Sequence, residues 1–183
     1  VDRAFADLKS YFLQASYVDD NTIIKAITFG GTEQTYQAWF GLTAEQLEED
    51  RRQNPYTYDN ETDNYQQDHF QLLWNETLND NWSTNLALNY TKGKGFFEQF
   101  EDDTDEISLY NGIILPTGIR VDEDENGNPV DVPITDLIRR RWLDNNFYVA
   151  NFNVDYKTKN IDWITGASYS NYTGDHFGEV IWG

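Results

Sequence analysis

Polar and apolar residues alternate with a period of two along several stretches of the chain. In Trp82–Thr91 the even positions are Trp82, Thr84, Leu86, Leu88 and Tyr90, and the odd ones Ser83, Asn85, Ala87, Asn89 and Thr91. In Tyr148–Tyr156 the even set is Tyr148, Ala150, Phe152, Val154 and Tyr156, with Asn151, Asn153 and Asp155 between them. Successive side chains of a strand point to opposite faces, so each stretch predicts a strand with one apolar and one polar face. After Asp162 the pattern is looser. Trp163, Thr165, Ala167 and Tyr169 fall on one side, Gly166, Ser168 and Ser170 on the other. Phe70, Leu72, Trp74 and Leu78 form a further row that Glu76 interrupts. Lys25 lies in an apolar run and is expected on the polar side.

Short polar turns join these stretches in pairs. Strands are expected near 9–18 and 22–30 around Asp19-Asp20-Asn21, near 65–78 and 82–93 around Asn79-Asp80-Asn81, and near 147–157 and 161–173 around Thr158-Lys159-Asn160. Asn and Asp tolerate left-handed backbone and hydrogen-bond their own main chain, which suits them to such turns. The predicted fold class is therefore all-β and antiparallel, with about six strands in three hairpins.

The connections between hairpins, 31–64 and 94–146, are long. Thr43-Ala44-Glu45-Gln46 has the form of a capping box, which predicts a short helix running through Arg52 and ending before Asn54-Pro55. In the second connection Thr135 is expected to cap a helix over Asp136–Leu143, with Arg139, Arg140 and Arg141 favourably placed at its C-terminus.

A soluble sandwich alternates in the same way, so the aromatic spacing carries more weight. Trp82 and Tyr90 bracket one apolar row, and Tyr148 and Tyr156 another, each pair eight residues apart. At about 3.3 Å per residue and roughly 40° of tilt, eight residues cover about 20 Å along a membrane normal. Outer-membrane barrels show lipid an apolar band about 25 Å tall between two aromatic girdles, with short turns at one end and long loops at the other. The expectation is a segment of a transmembrane β-barrel whose long extracellular loops carry short helices. Glu76 then belongs at the headgroup rim.

Composition narrows the function classes. The chain has 183 residues, 13 Lys+Arg against 32 Asp+Glu, and a net charge of -19. Nucleic acid is not expected as a partner, because a phosphate-binding surface needs a Lys/Arg stripe. Cys is absent, which excludes disulfides and thiolate metal sites. No apolar run approaches the roughly 18–20 residues of a transmembrane helix, so a membrane reading rests on strands. The chain opens at Val1-Asp2-Arg3 without Met or a signal sequence and is expected to be a processed product or a fragment.

Asp122-Glu123-Asp124-Glu125-Asn126-Gly127-Asn128 resembles the start of a calcium loop, but the twelfth position is Pro133 in place of a bidentate Glu. A hairpin turning at Asn126-Gly127 between Val121 and Val130 is the favoured reading. His69 and His176 neighbour Asp68 and Asp175, so a metal site or a polar pair at a loop rim are both open. Arg139-Arg140-Arg141 would suit either an anion clamp or a helix end. Asn60-Glu61-Thr62 and Asn89-Tyr90-Thr91 match glycosylation acceptors, which in a bacterial reading are chance matches. No G-x-S-x-G, H-E-x-x-H or P-loop occurs, no cofactor is implied, and no enzyme is expected.

Several segments resemble TonB-dependent outer-membrane receptors. Gly30-Gly31-Thr32-Glu33-Gln34-Thr35-Tyr36-Gln37-Ala38-Trp39 is similar to the segment that leaves a barrel strand in one subgroup, and Asn54-Pro55-Tyr56 with Asn60–Tyr65 and Gln67-Asp68-His69 to its return. Asn89–Phe100, Asp136–Arg139 with Arg141–Asn145, and Gly174–Trp182 continue the likeness in order, so that it covers most of residues 9–182. The resemblance implies a 22-strand barrel with an N-terminal plug that this stretch does not include, in the outer membrane of a Gram-negative bacterium. It implies TonB-energised uptake of a scarce small metal chelate such as a ferric siderophore. The TonB complex, the bilayer and lipopolysaccharide would be its partners. Position and chemistry single out Tyr36, Trp39, Tyr65, His69, Asp175 and His176 as candidate ligand contacts near the loop rims. The alternatives are a secreted β-sheet module binding carbohydrate or calcium, and a surface hydrolase with two carboxylates.

Overall fold

The computed structural model describes residues 1–104 and 118–183. It contains β1 (Ala6–Val18), β2 (Thr22–Tyr36), α1 (Ala44–Glu49), β3 (Thr62–Asn79), β4 (Trp82–Thr104), β5 (Gly118–Glu123), β6 (Pro129–Lys157) and β7 (Asp162–Trp182). All strands are antiparallel in one seven-stranded sheet, in the order β1-β2-β3-β4-β6. β6 also pairs with β5 over its first residues, Pro129–Ile134, and with β7 from Ile138 onward. Among the described residues the sheet does not close, and β1 and β7 are its edges.

One device closes all three tight turns, at the same end of the sheet. The Asp19 carboxylate accepts the N–H groups of Asn21 (2.9 Å) and Thr22 (2.8 Å). The Asn79 side-chain oxygen accepts those of Asn81 (3.0 Å) and Trp82 (3.2 Å). Thr158 Oγ1 accepts those of Asn160 (3.4 Å) and Ile161 (3.0 Å). Each side chain satisfies backbone donors that the ladder leaves unpaired.

The three expected hairpins are present, with longer strands. β2 runs to Tyr36, β3 starts at Thr62, β4 runs to Thr104 and β6 starts at Pro129. The connection expected over 31–64 therefore shrinks to 37–61. Much of the one expected over 94–146 is strand, and its residues 105–117 lie outside the described residues. The seventh strand, β5, forms the hairpin expected at Asn126-Gly127, with Gly127 at a φ of 78°. Helix α1 has the expected capping box: Thr43 Oγ1 accepts the Gln46 N–H (3.3 Å) and Gln46 Oε1 accepts the Thr43 N–H (2.9 Å). It ends at Glu49, earlier than expected.

The helix expected over Asp136–Leu143 is a correction, since these residues lie in β6. Thr135 does not cap; its hydroxyl donates to Asp136 O (3.3 Å). Over this stretch β6 finds partners on both sides, Gly95–Glu101 of β4 and His176–Trp182 of β7. Leu137 is completely buried in that pairing. Tertiary pairing overrides the local helical signal, as it routinely does.

The register sorts the strands into two faces. On one face Trp82 aligns with Tyr156 and Trp163, and eight residues away Tyr90 aligns with Phe70 and Tyr148. The rings touch across strands: Trp82–Tyr156 at 4.5 Å, Phe70–Tyr90 at 5.9 Å and Tyr90–Tyr148 at 4.8 Å. Between the two rows lie Leu72, Leu86, Leu88, Ala150, Phe152 and Val154. The opposite face carries Asn85, Asn89, Asn151, Asn153 and Ser168. Lys25 falls on this polar face opposite Ser16 and Leu73, as its charge required. No second layer covers the apolar face among the described residues. Leu88 remains 38% and Phe152 44% exposed, and among the described residues only Tyr36 and Leu137 are buried hydrophobic residues.

Candidate functional site

The functional candidates converge on the polar face, toward the end opposite the tight turns. One rung of the sheet reads Phe29, His69, Thr91, Phe147, Tyr172. The His69 ring stacks on Phe29 at 4.4 Å and 12°, and its Nδ1 lies 2.9 Å from Thr91 Oγ1. Thr91 Oγ1 also accepts from Asn89 Nδ2 (3.2 Å), and Asn89 Oδ1 accepts from Gln71 Nε2 (3.2 Å). On the far strands Tyr172 donates to Asn145 Oδ1 (2.6 Å). His69, Asn89, Thr91, Asn145, Phe147 and Tyr172, with Tyr65, line a hollow of about 580 Å³. Aromatic surface lies here beside amide, hydroxyl and imidazole groups, the mixture that small-molecule sites use.

The next polar-face rung but one reads Glu33, Tyr65, Gly95, Leu143, His176. Tyr65 lies across two glycines of β4. A Cβ on Gly93 would sit 2.2 Å from the Tyr65 hydroxyl, and one on Gly95 2.7 Å from its ring and 2.2 Å from Asn64 O. Glycine is needed here because another side chain fills its space. Glu33, Asp63, Tyr65, Arg141, His176 and Phe177 line a second hollow of about 960 Å³.

Of the six residues expected at the rims, Tyr65, His69 and His176 share this face. The others do not join them. Asp175 pairs with Asp144 and points to the opposite face. Tyr36 is buried; its hydroxyl donates to Tyr58 O (2.5 Å) and its ring packs on Phe5 at 6.2 Å. Trp39 is exposed and meets Phe97 edge-on at 5.9 Å. His69 and His176 are not a metal pair. Three strand intervals and four residues separate them, about 20 Å. Thr91, Asn145, Phe147 and Tyr172 were missed, because only the register reveals that they face His69.

The three arginines do not form one clamp. Arg139 pairs with Glu101, Arg140 Nε donates to Glu98 Oε2 (2.8 Å), and the Arg141 guanidinium lies 5.6 Å over Phe97. Alternation sends Arg140 to the opposite face from the other two. The Asp122–Asn128 loop is a turn. The Asp124 carboxylate accepts the N–H groups of Asn128 (2.9 Å) and Asn126 (2.8 Å) and the Asn128 side-chain amide. These bonds hold it below the usual carboxylate range.

Connection 37–61 is fastened over the far end of β4 by polar contacts. Gln37 N donates to Glu61 O (2.8 Å), Asn54 Nδ2 to Gln37 O (3.0 Å), and Tyr58 Oη to Glu98 Oε1 (2.7 Å). Arg3 reaches Asn54 O (3.0 Å) and Tyr56 O (3.0 Å) from the N-terminal side. Gln37, Asn54, Glu61 and Glu98 are all buried. The chain matches no protein-family model, and no curated protein shows significant similarity to it.

Proposed function

We propose that this chain is part of a TonB-dependent outer-membrane receptor. In this reading the sheet is a stretch of a transmembrane β-barrel, its apolar face toward lipid and its polar face toward the lumen. The tight turns lie in the periplasm and connection 37–61 outside the cell. The receptor takes up a scarce small molecule, such as a ferric siderophore, and the TonB complex supplies the energy through a plug domain. The bilayer and lipopolysaccharide surround it.

The observation that carries this reading is the uncovered apolar face between two aromatic rows. Burying so much apolar surface requires either a second protein layer or hydrocarbon, and no second layer is present among the described residues. The eight-residue spacing of the rows fits an apolar band of membrane thickness. Tyr65, His69, Phe147, Tyr172 and His176 on the polar face are the proposed lumen contacts for the ligand. In the segment that resembles a calcium loop, the Asp124 carboxylate is already used by the turn.

The test is growth of the source bacterium under iron limitation, with single ferric siderophores as iron source. Deleting the full-length gene should abolish use of at least one chelate, and deleting the TonB energising system should abolish it equally. Undiminished uptake of every chelate, and of haem and cobalamin, in the deletion strain would refute the transport reading.

A further inference from the structure

Glu61 is 3% exposed at the junction of connection 37–61 and β3. The charged and titratable groups around it are Glu98 and Glu101 on β4, Arg139 and Arg140 on β6, Tyr36 on β2, and Asp63 at the start of β3. Tyr56 and Tyr58 on the connection and Arg3 near the N-terminus complete the set. Two of the cations are engaged elsewhere: Arg139 pairs with Glu101, and Arg140 with Glu98. Arg3 binds the carbonyls of Asn54 and Tyr56. Glu61 has no ion pair among the described residues; the nearby Phe100 N–H favours its ionised form. Gln37, whose N–H donates to Glu61 O, has a buried side-chain Oε1 without a hydrogen-bond donor among the described residues. A buried carboxylate without a cation and a buried oxygen without a donor are both costly, and one proton on Glu61 relieves the first and adds a donor to the cluster.

We propose that connection 37–61 is a proton-controlled latch: it stays clasped on the end of β4 while Glu61 is protonated and loosens when Glu61 ionises. Burial, and then the charge of Glu101, raise the Glu61 carboxyl to about 7 against the pull of the Phe100 N–H. Released into water, the group returns to its ordinary value of 4.5. A group whose closed-state pKa is raised stabilises closure below the open-state value and loses that contribution as pH rises to the closed-state value. Opening therefore increases between about pH 4.5 and pH 7 and levels off above it. The latch does not depend on the transport reading, because its contacts are the same whatever meets the apolar face.

The test is amide hydrogen exchange of the full-length protein at pH 5 and pH 7.5, corrected for intrinsic rates and read at Gln37 and Glu61. Opening should increase at least about tenfold across this window. E61Q should hold it near the pH 5 level at both pH values. E101Q, which removes the neighbouring charge, should shift the midpoint downward. Equal protection of both amides at the two pH values, or pH dependence that survives in E61Q, would overturn the proposal. If E61Q does not fold, an unmoved midpoint in E101Q does so by itself.

Discussion

At the scale of single residues, the most constrained place is where Tyr65 lies on β4. A side chain at Gly95 would meet Asn64 O and the Tyr65 ring, so backbone and ring must both move. Gly95→Val should destabilise the protein by about 2 kcal/mol. Gly178→Val, where a Cβ meets nothing within 4 Å, should stay within about 0.5 kcal/mol. Urea unfolding of the two variants checks this, and equal losses would contradict the packing described. A pH effect is expected at Asp124, whose carboxylate is held low by the N–H and side-chain amide of Asn128 and the N–H of Asn126. Because its folded pKa is depressed, its contribution is complete above the ordinary value of 3.8 and lost as pH falls through the folded value. Asp124→Ala should remove that acid sensitivity from the β5–β6 hairpin, as followed by amide exchange at Asn126 and Asn128.

At the scale of elements, local signals were legible and distant pairings were not. The capping box of α1 and the Asx caps of the tight turns act within four residues, so the sequence displays them. The far half of β4 is different. The stretch from Lys94-Gly95 onward reads as a loop, yet it continues the strand because Tyr65 fills the gaps over Gly93 and Gly95 and Lys92 and Lys94 bind Asp144. The Arg139–Arg141 run reads as a helix end, yet its partners Glu98 and Glu101 lie on another strand. The candidate site shows the same division. His69 and Tyr65 stand out by their chemistry, whereas no local signal shows that Asp175 lies on the opposite face, because one residue of register decides the face. The face assignment makes its own prediction. In the lipid-facing account Leu88→Arg should cost about 2–4 kcal/mol of stability in a bilayer, and the adjacent Asn89→Arg far less. Equal costs in unfolding from liposomes would count against two chemically distinct faces.

At the scale of the whole molecule, the sheet has almost no interior of its own. Its largest apolar surface is a single open face, and β1 and β7 leave long edges without partners among the described residues. Water is a poor solvent for such a surface, and exposed strand edges invite further pairing. A bilayer on one side and neighbouring barrel strands at both edges remove these liabilities together. The most direct measurement places nitroxide labels one at a time at positions 85–89 and 150–154 of the full-length protein in liposomes. It then compares collision with oxygen, which concentrates in hydrocarbon, and with a water-soluble nickel chelate. Labels at 86, 88, 150, 152 and 154 should favour oxygen, and labels at 85, 87, 89, 151 and 153 the chelate. Labels at the first set shielded from both reagents, as in a packed protein core, or readily reached by the chelate, would contradict the account.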